Sequence, residues 1–151
     1  MEYIMDLKDI HAMWGSDATI DSMKLDESSR ITPILHAKYL ELLSNAKLKL
    51  KRVELQQKDL LKLKWLYYNG KMDQEELDKQ GWDPDPFNGL KILKGDMDYY
   101  YDSDPEIQAS VEKIHYYKTI IDTLTDIIDN IKWRHQTIGN IIKWRQFESG
   151  N

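Results

Sequence analysis

Cationic and aromatic side chains crowd one stretch of this chain, and their pairing suits a particular chemistry. Lys47, Lys49, Lys51, Arg52, Lys58, Lys62 and Lys64 lead into the run LLKLKWLYYNGK at 60–71, which adds Trp65, Tyr67 and Tyr68. Ammonium groups neutralise phosphates and flat rings stack on bases. A surface that holds single-stranded nucleic acid without reading its sequence needs both, because every nucleotide has a phosphate and a π face. At about 100° per residue, Lys47, Lys51, Lys58 and Lys62 fall within roughly 60° of one another and form a stripe along about 22 Å of helix. Lys49 and Lys64 point elsewhere. A charge stripe is most often a solvated face, and the adjacent aromatics are what favour binding, although Tyr67 continues an apolar seam that suits a core. The candidates for strand contact are Lys47, Lys51, Lys58 and Lys62, with Trp65 and Tyr68 as stacking rings.

A second basic segment repeats. Lys132-Trp133-Arg134 recurs as Lys143-Trp144-Arg145 eleven residues later, close to three helical turns, so the copies share a face. Two readings have equal weight. Lys132, Arg134, Lys143 and Arg145 form a second patch for the strand, or the tryptophans fill an oligomer interface with the Lys and Arg stems alongside.

Other chemistries lack their residues. There is no GxGxxG, Walker A or GxSxG segment, hence no basis for a nucleotide pocket or a serine nucleophile. Glu112 and His115 make one Glu-x-x-His step, which fits a helix-surface pair far better than a metal site, because a metal needs several converging ligands. The pairs Asp83/Asp85, Asp96/Asp98 and Asp102/Asp104 fit no EF-hand spacing and read as solvated turn residues. The expectation is a protein without catalytic residues, metal or cofactor.

The chain's 151 residues fit one domain. The absence of cysteine suits a reducing cytosol, no apolar run approaches the roughly 18 residues of a membrane span, and the N-terminus lacks a signal-peptide pattern. Net charge is −5, which at first opposes a nucleic-acid partner, but the charge is segregated. Lys47 to Lys64 carries a net +5 and Asp73 to Glu106 a net −8. Screening limits exposed charges to a reach of about 8 to 10 Å, so a binding site feels the local field.

Two long helical patterns position these groups. Tyr39, Leu43, Ala46, Leu50, Val53, Leu60 and Tyr67 recur at helical spacing, with Gln57 and Lys64 interrupting the stripe and Asn69-Gly70 stopping it. Thr32-Pro33 reads as an N-cap and first-turn proline, unless the helix begins near Asp26 and kinks at Pro33. Asp104-Pro105-Glu106 opens the second pattern, whose seam includes Ile114, Ile121, Leu124, Ile128, Ile131, Ile138 and Ile142. Ile120, Ile127 and Ile141 widen it beyond what one antiparallel helix covers, which points to self-association along the seam. Between the patterns, Asp73 and Glu76 resemble a capping box, GWDPDPFNG is rich in turn formers, and 90–93 is a short strand or an ordered loop. Tyr3, Ile4, Leu7, Ile10 and Trp14 suggest a small amphipathic helix. The expected fold is all-α: an elongated hairpin of long helices with short appended helices and an acidic, turn-rich middle, assembled as a homo-oligomer. Its segments are 1–25 (appendage), 26–68 (first long helix), 69–104 (acidic linker) and 105–148 (second long helix and oligomerisation).

At LLKLKWLYYNGK the chain resembles the UvsY family of phage recombination mediators. The family's Leu-Lys-x-Arg-Leu-x-Tyr-Tyr motif corresponds to Leu61, Lys62, Lys64 in place of the arginine, Tyr67 and Tyr68, with Trp65 and Leu66 between. The likeness extends to IDSMKL at 20–25, Ile131-Lys132-x-Arg134, Arg145 and the ending Phe147-Glu148-Ser149-Gly150. It implies a non-enzymatic accessory of homologous recombination that acts in the host-cell cytoplasm, binds single-stranded DNA and forms a ring-like homo-oligomer, hexamer or heptamer. Such proteins help load a UvsX-type recombinase onto DNA covered by single-stranded DNA-binding protein. The family's DNA-contacting basic residues fall on Lys62 and Lys64; lysine at 64 keeps the charge but loses the planar fork of arginine. The rival expectation is a structural or adaptor coiled coil that assembles in the same way and acts only through protein contacts.

Overall fold

The computed structural model describes residues 5–150, so Tyr3 and Ile4 of the expected N-terminal helix lie outside the described residues. The regular elements among the described residues are all helical: α1 (Leu7–Asp17), α2 (Leu25–Arg30), α3 (Thr32–Tyr68), α4 (Gln74–Gln80), a 3-10 turn (Lys94–Asp96), α5 (Met97–Asp102), α6 (Pro105–Lys132) and α7 (Arg134–Glu148). None of these helices is long and apolar enough to cross a membrane. The chain divides into two compact units: one from the residues up to Lys49 together with those from Tyr117 onward, the other from Leu50 to Tyr116.

In the first unit, Ile10 of α1 and Leu35, Tyr39, Leu43 and Ala46 of α3 pack with Ile120, Leu124, Ile127, Ile128 and Ile131 of α6. Tyr39, Leu43 and Ala46 belong to the predicted apolar stripe, and Leu35 extends it one turn toward the start of α3. Tyr39 is fully enclosed, with Trp14 edge-on to its ring at 5.5 Å and its hydroxyl donating to Asp17 Oδ2 at 2.9 Å. Lys38 Nζ lies 2.6 Å from the same carboxylate oxygen. Pro33 cannot donate to the carbonyl one turn back, and a turn at Ile31 separates α2 from α3.

The seam of the second helical pattern is therefore largely internal, which corrects its assignment to an oligomer interface. Leu124, Ile128 and Ile131 are buried by the chain's own α1 and α3, Ile138 is buried on α7, and Ile114 and Ile121 are half-buried. Of the isoleucine and leucine positions of the predicted seam, Ile142 alone is exposed. The sequence argument allowed α6 one antiparallel partner, whereas α1 adds a second covering layer.

Periodicity predicts one helix over 105–148; the structure has a break at Trp133. Its N–H reaches Asn130 O at 3.1 Å and its carbonyl accepts from Gln136 N at 3.0 Å, a tightened turn between two α-helices. The break accompanies an inward turn of Arg134, only 4 % exposed, whose guanidinium donates to the carbonyls of Ser28, Ala18 and Thr19 at 3.3, 3.4 and 3.3 Å. Those carbonyls end or join α1 and α2, where no intrahelical donor is available.

In the second unit, α3 and α6 run in opposite directions: Gln57 Nε2 donates to Ser110 Oγ at 3.1 Å, while Lys64 lies 3.0 Å from Asp104. Tyr67, Tyr68 and Leu77 form a small core with Met72, Trp82, Phe87, Met97, Tyr100 and Tyr101 around it. Gly70 (φ 66°) ends α3 in the left-handed conformation; its N–H meets Tyr67 O and that of Lys71 meets Leu66 O, a Schellman stop. Asp73 Oδ1 caps α4 through Glu76 N at 2.8 Å, as the capping-box pattern predicts. Residues 90–93 form a loop.

Arg134→Met keeps side-chain length but takes the guanidinium donor from the Ala18 and Thr19 carbonyls, while Ser28 O keeps the Thr32 hydroxyl at 3.3 Å. It is expected to lower the unfolding free energy by about 2 to 3 kcal/mol, read as a lower urea midpoint at unchanged m-value. An unmoved midpoint would show that the guanidinium does not hold this junction.

Candidate nucleic-acid interface

Within the second unit, Lys51, Lys58 and Lys62 stand exposed on one face of α3, and none is in an ion pair among the described residues. Lys47, in the other unit, is also exposed. Trp65 follows one turn after Lys62 and two turns after Lys58, and 49 % of it faces solvent. Past the Gly70 stop, Lys71 returns toward the helix and sets Nζ 4.7 Å from the centre of the Trp65 ring, a cation–π distance. Lys62 and Lys71 line one cleft beside Leu63 and Leu66, with Asp59, Asp73 and Glu76 on the same walls.

Lys64 and Tyr68, two of the expected strand contacts, belong to the interior instead. Lys64 is 4 % exposed; its Nζ lies 3.0 Å from Asp104 Oδ2 and 3.4 Å from Glu106 Oε1, and 3.9 Å from the centre of the Trp82 ring. Tyr68 donates to the same Asp104 Oδ2 at 2.6 Å and packs beside Phe87 and Tyr101. Trp82 Nε1 adds a bond to Glu106 Oε1 at 2.8 Å. The other oxygen of Asp104 accepts from the N–H groups of Glu106 and Ile107, so this carboxylate both caps α6 and balances the buried ammonium. The reason is positional. Lys64 lies three residues before Tyr67 on the apolar seam, and a lysine there must carry its counter-charge inside.

Burial alone would raise the carboxyl pKa of Asp104, but the hydrogen bonds from Tyr68 and Lys64, with the backbone N–H of Ile107, outweigh it and hold it below the ordinary value. Burial, reinforced by the Asp104 bond, pushes the Tyr68 hydroxyl well above the usual phenol range, so it remains a donor. Burial with nearby Asp83 and Asp104 likewise raises Tyr67, whose hydroxyl donates to Asp83 O at 2.6 Å.

The second expected patch does not come together. Arg134 is committed to backbone carbonyls, Arg145 donates to Ser22 O, and Lys132 sits 3.7 Å from Asp129, while Lys143 is exposed and in no ion pair among the described residues. The shared-face argument needed one continuous helix and fails at Trp133. The rings of the repeat are exposed: Trp133, Trp144 and Phe147, the last at 73 %, with Trp144 stacked on Phe147 at 5.6 Å. Among the described residues no group of three His, Asp or Glu could hold a metal ion.

Sequence reasoning missed Lys71 and Lys94. The Asn69-Gly70 stop signalled the first, since a Schellman turn folds the next residue back onto the helix end. Nothing periodic marked Lys94, which follows an irregular loop and lines a cleft with Trp65 and Tyr101.

Removing Lys64 should therefore damage folding before it touches binding. Lys64→Ala is expected to cost about 3 to 5 kcal/mol in urea unfolding by leaving Asp104 buried and unbalanced, whereas Lys62→Ala changes stability by less than about 0.5 kcal/mol. Because Asp104 titrates lower when folded than its ordinary 3.8, its contribution is present above that value and fades as pH falls through the lower folded one. Wild type should thus lose stability on acidification below about pH 4, and Lys64→Ala should lose less. Equal acid sensitivity would detach Asp104 from the pair.

A family model described as recombination, repair and ssDNA binding protein UvsY matches residues 13–151. The recombination protein uvsY of Enterobacteria phage T4 is 28 % identical over 146 residues, covering 97 % of this chain and 99 % of that protein. Crystal structures of the bacteriophage T4 recombination mediator protein UvsY share the fold. The type II lattice form has a TM-score of 0.77 at 27 % identity, covering 96 % of this chain and 98 % of that one. The type IV form has a TM-score of 0.76 at 26 % identity, covering 95 % and 99 %. With the family's motif on α3 and its long helices in the matching arrangement, this chain belongs to the UvsY family of recombination, repair and single-stranded DNA-binding proteins.

Proposed function

We propose that this protein is a recombination mediator that binds single-stranded DNA without sequence preference and promotes loading of a UvsX-type recombinase onto DNA covered by single-stranded DNA-binding protein. The observation that carries the reading is the exposed, unpaired row Lys51, Lys58 and Lys62 leading to Trp65 on α3. These groups offer phosphates a fixed line of positive charge and a base an exposed ring, with no donor pattern aimed at one base edge.

A few cations on one subunit bind weakly. The reading therefore includes a ring-like homo-oligomer, in which each further patch is reached as an intramolecular event and avidity multiplies. The exposed Trp133, Ile142, Trp144 and Phe147 supply the apolar surface for self-association, in place of the internal isoleucine seam. The same surface favours the rival reading of an adaptor that only assembles, so DNA binding itself must separate the two.

Fluorescence anisotropy on oligo-dT should show affinity falling with salt at a log-log slope of about −0.7 per phosphate contacted. Lys58→Ala and Lys62→Ala should each weaken binding alike on dT, dA and mixed sequences and reduce that slope by about 0.7. Assembly without any DNA affinity at low salt would leave the adaptor reading. Light scattering should give a mass of several chains, falling on Trp144→Glu with Phe147→Glu; an unchanged mass would move the interface off α7.

A further inference from the structure

We infer that the cleft against Trp65 receives one nucleobase of the bound strand, with Lys71 and Lys94 meeting the phosphates on either side of it; the inference rests on the strand-binding reading above. The cleft has a volume of about 360 Å3 and is lined by Trp65, Tyr68, Asn69, Lys94, Met97, Asp98 and Tyr101. That lies at the small end of ligand sites, which begin near roughly 300 Å3, and suits a single base.

Three features point to a base. First, its walls are aromatic: the half-exposed indole of Trp65 and the ring of Tyr101, which is anchored by its hydroxyl to Leu61 O at 3.4 Å. Stacking needs flat surfaces held in place, and Asn69 Nδ2 donating to Trp65 O at 2.7 Å fixes the helix end that carries the indole. Second, cations reach it in sequence. Lys62 and Lys71 share the neighbouring cleft, Lys71 lies over the Trp65 ring, and Trp65 shares its own cleft with Lys94. A strand following Lys58 and Lys62 thus meets Lys71, the indole and Lys94 in order. Third, Asp98 is the one carboxylate among the residues lining this cleft, so it repels phosphate from the interior and leaves an acceptor for a base N–H, which thymine supplies at N3.

Two other clefts in this unit lack that combination. The cleft of Ile92, Asp96, Tyr99, Tyr100 and Ser103 has rings but no cation, and the one shared by Lys62 and Lys71 has cations but no ring.

The test compares oligo-dT with an abasic oligomer of equal length, which keeps every phosphate and removes every base. Trp65→Ala is expected to weaken dT binding about tenfold while leaving abasic binding unchanged, and Trp65→Phe, which keeps a π face, should retain most of the preference. Lys94→Glu should weaken both oligomers, because it acts on phosphate. Circular dichroism and light scattering establish that each variant keeps its fold and mass; Trp65 and Lys94 are surface residues outside the core. If Trp65→Ala preserves the wild-type ratio of dT to abasic affinity while Lys62→Ala weakens both, the strand is held by phosphates alone and the base site is overturned, with the strand-binding reading intact. If Lys62→Ala is also without effect on either oligomer, that reading falls as well. Lys94→Glu without effect would overturn the path across the cleft.

Discussion

An ammonium group taken out of water must find opposite charge close by, and at Lys64 that requirement ties the end of α3 to the start of α6. Asp104 is the shared point: one oxygen receives Lys64 and Tyr68, while the other receives the first N–H groups of α6. The desolvation of a buried ion pair offsets much of its attraction, so the pair's value lies in specifying one arrangement. Slipping α3 by a turn would carry the Lys64 ammonium away from Asp104 and Glu106 and leave it without counter-charge. Gln57 with Ser110 repeats the device in neutral form two turns earlier. The two polar residues that interrupt the apolar stripe of α3 are therefore register marks.

This constraint also divides the labour within the basic run. Lysines that continue the seam are consumed by structure, and those a third of a turn or more away remain for solvent or a ligand. Charge segregation has a similar logic in the second unit, where the acidic 73–106 segment supplies the counter-charges that Lys64 needs and leaves Lys51, Lys58 and Lys62 unpaired. A polyanion meets those lysines without first displacing a bound carboxylate.

In the first unit the organising problem is loose carbonyls. Arg134 meets three of them through three separate nitrogens of one planar fork, whereas a lysine would need all three gathered around a single nitrogen, and this suits arginine to the buried site. Beyond the helix break, α7 buries Ile138 but leaves Ile142, Trp144 and Phe147 exposed, so it carries a partly uncovered face.

Sequence alone determined the all-helical class, the α3 stop at Asn69-Gly70, the caps at Asp73 and Asp104 and the buried stripe from Tyr39 to Val53, because each depends on local spacing or on backbone chemistry within a few residues. It also carried a correct warning in the polar interruptions at Gln57 and Lys64, although the motif drew Lys64 toward the DNA-contacting set. What only the tertiary structure decided is which charged groups are spent internally. Lys62 and Lys64 are two residues apart with the same chemistry, and the difference between an exposed cation and a buried one lies in Asp104, forty residues away along the chain. The same holds for Arg134, paired with carbonyls more than a hundred residues upstream. Helical period limits the direction a side chain takes, but the partner waiting there is set by packing between distant segments, which no local pattern encodes.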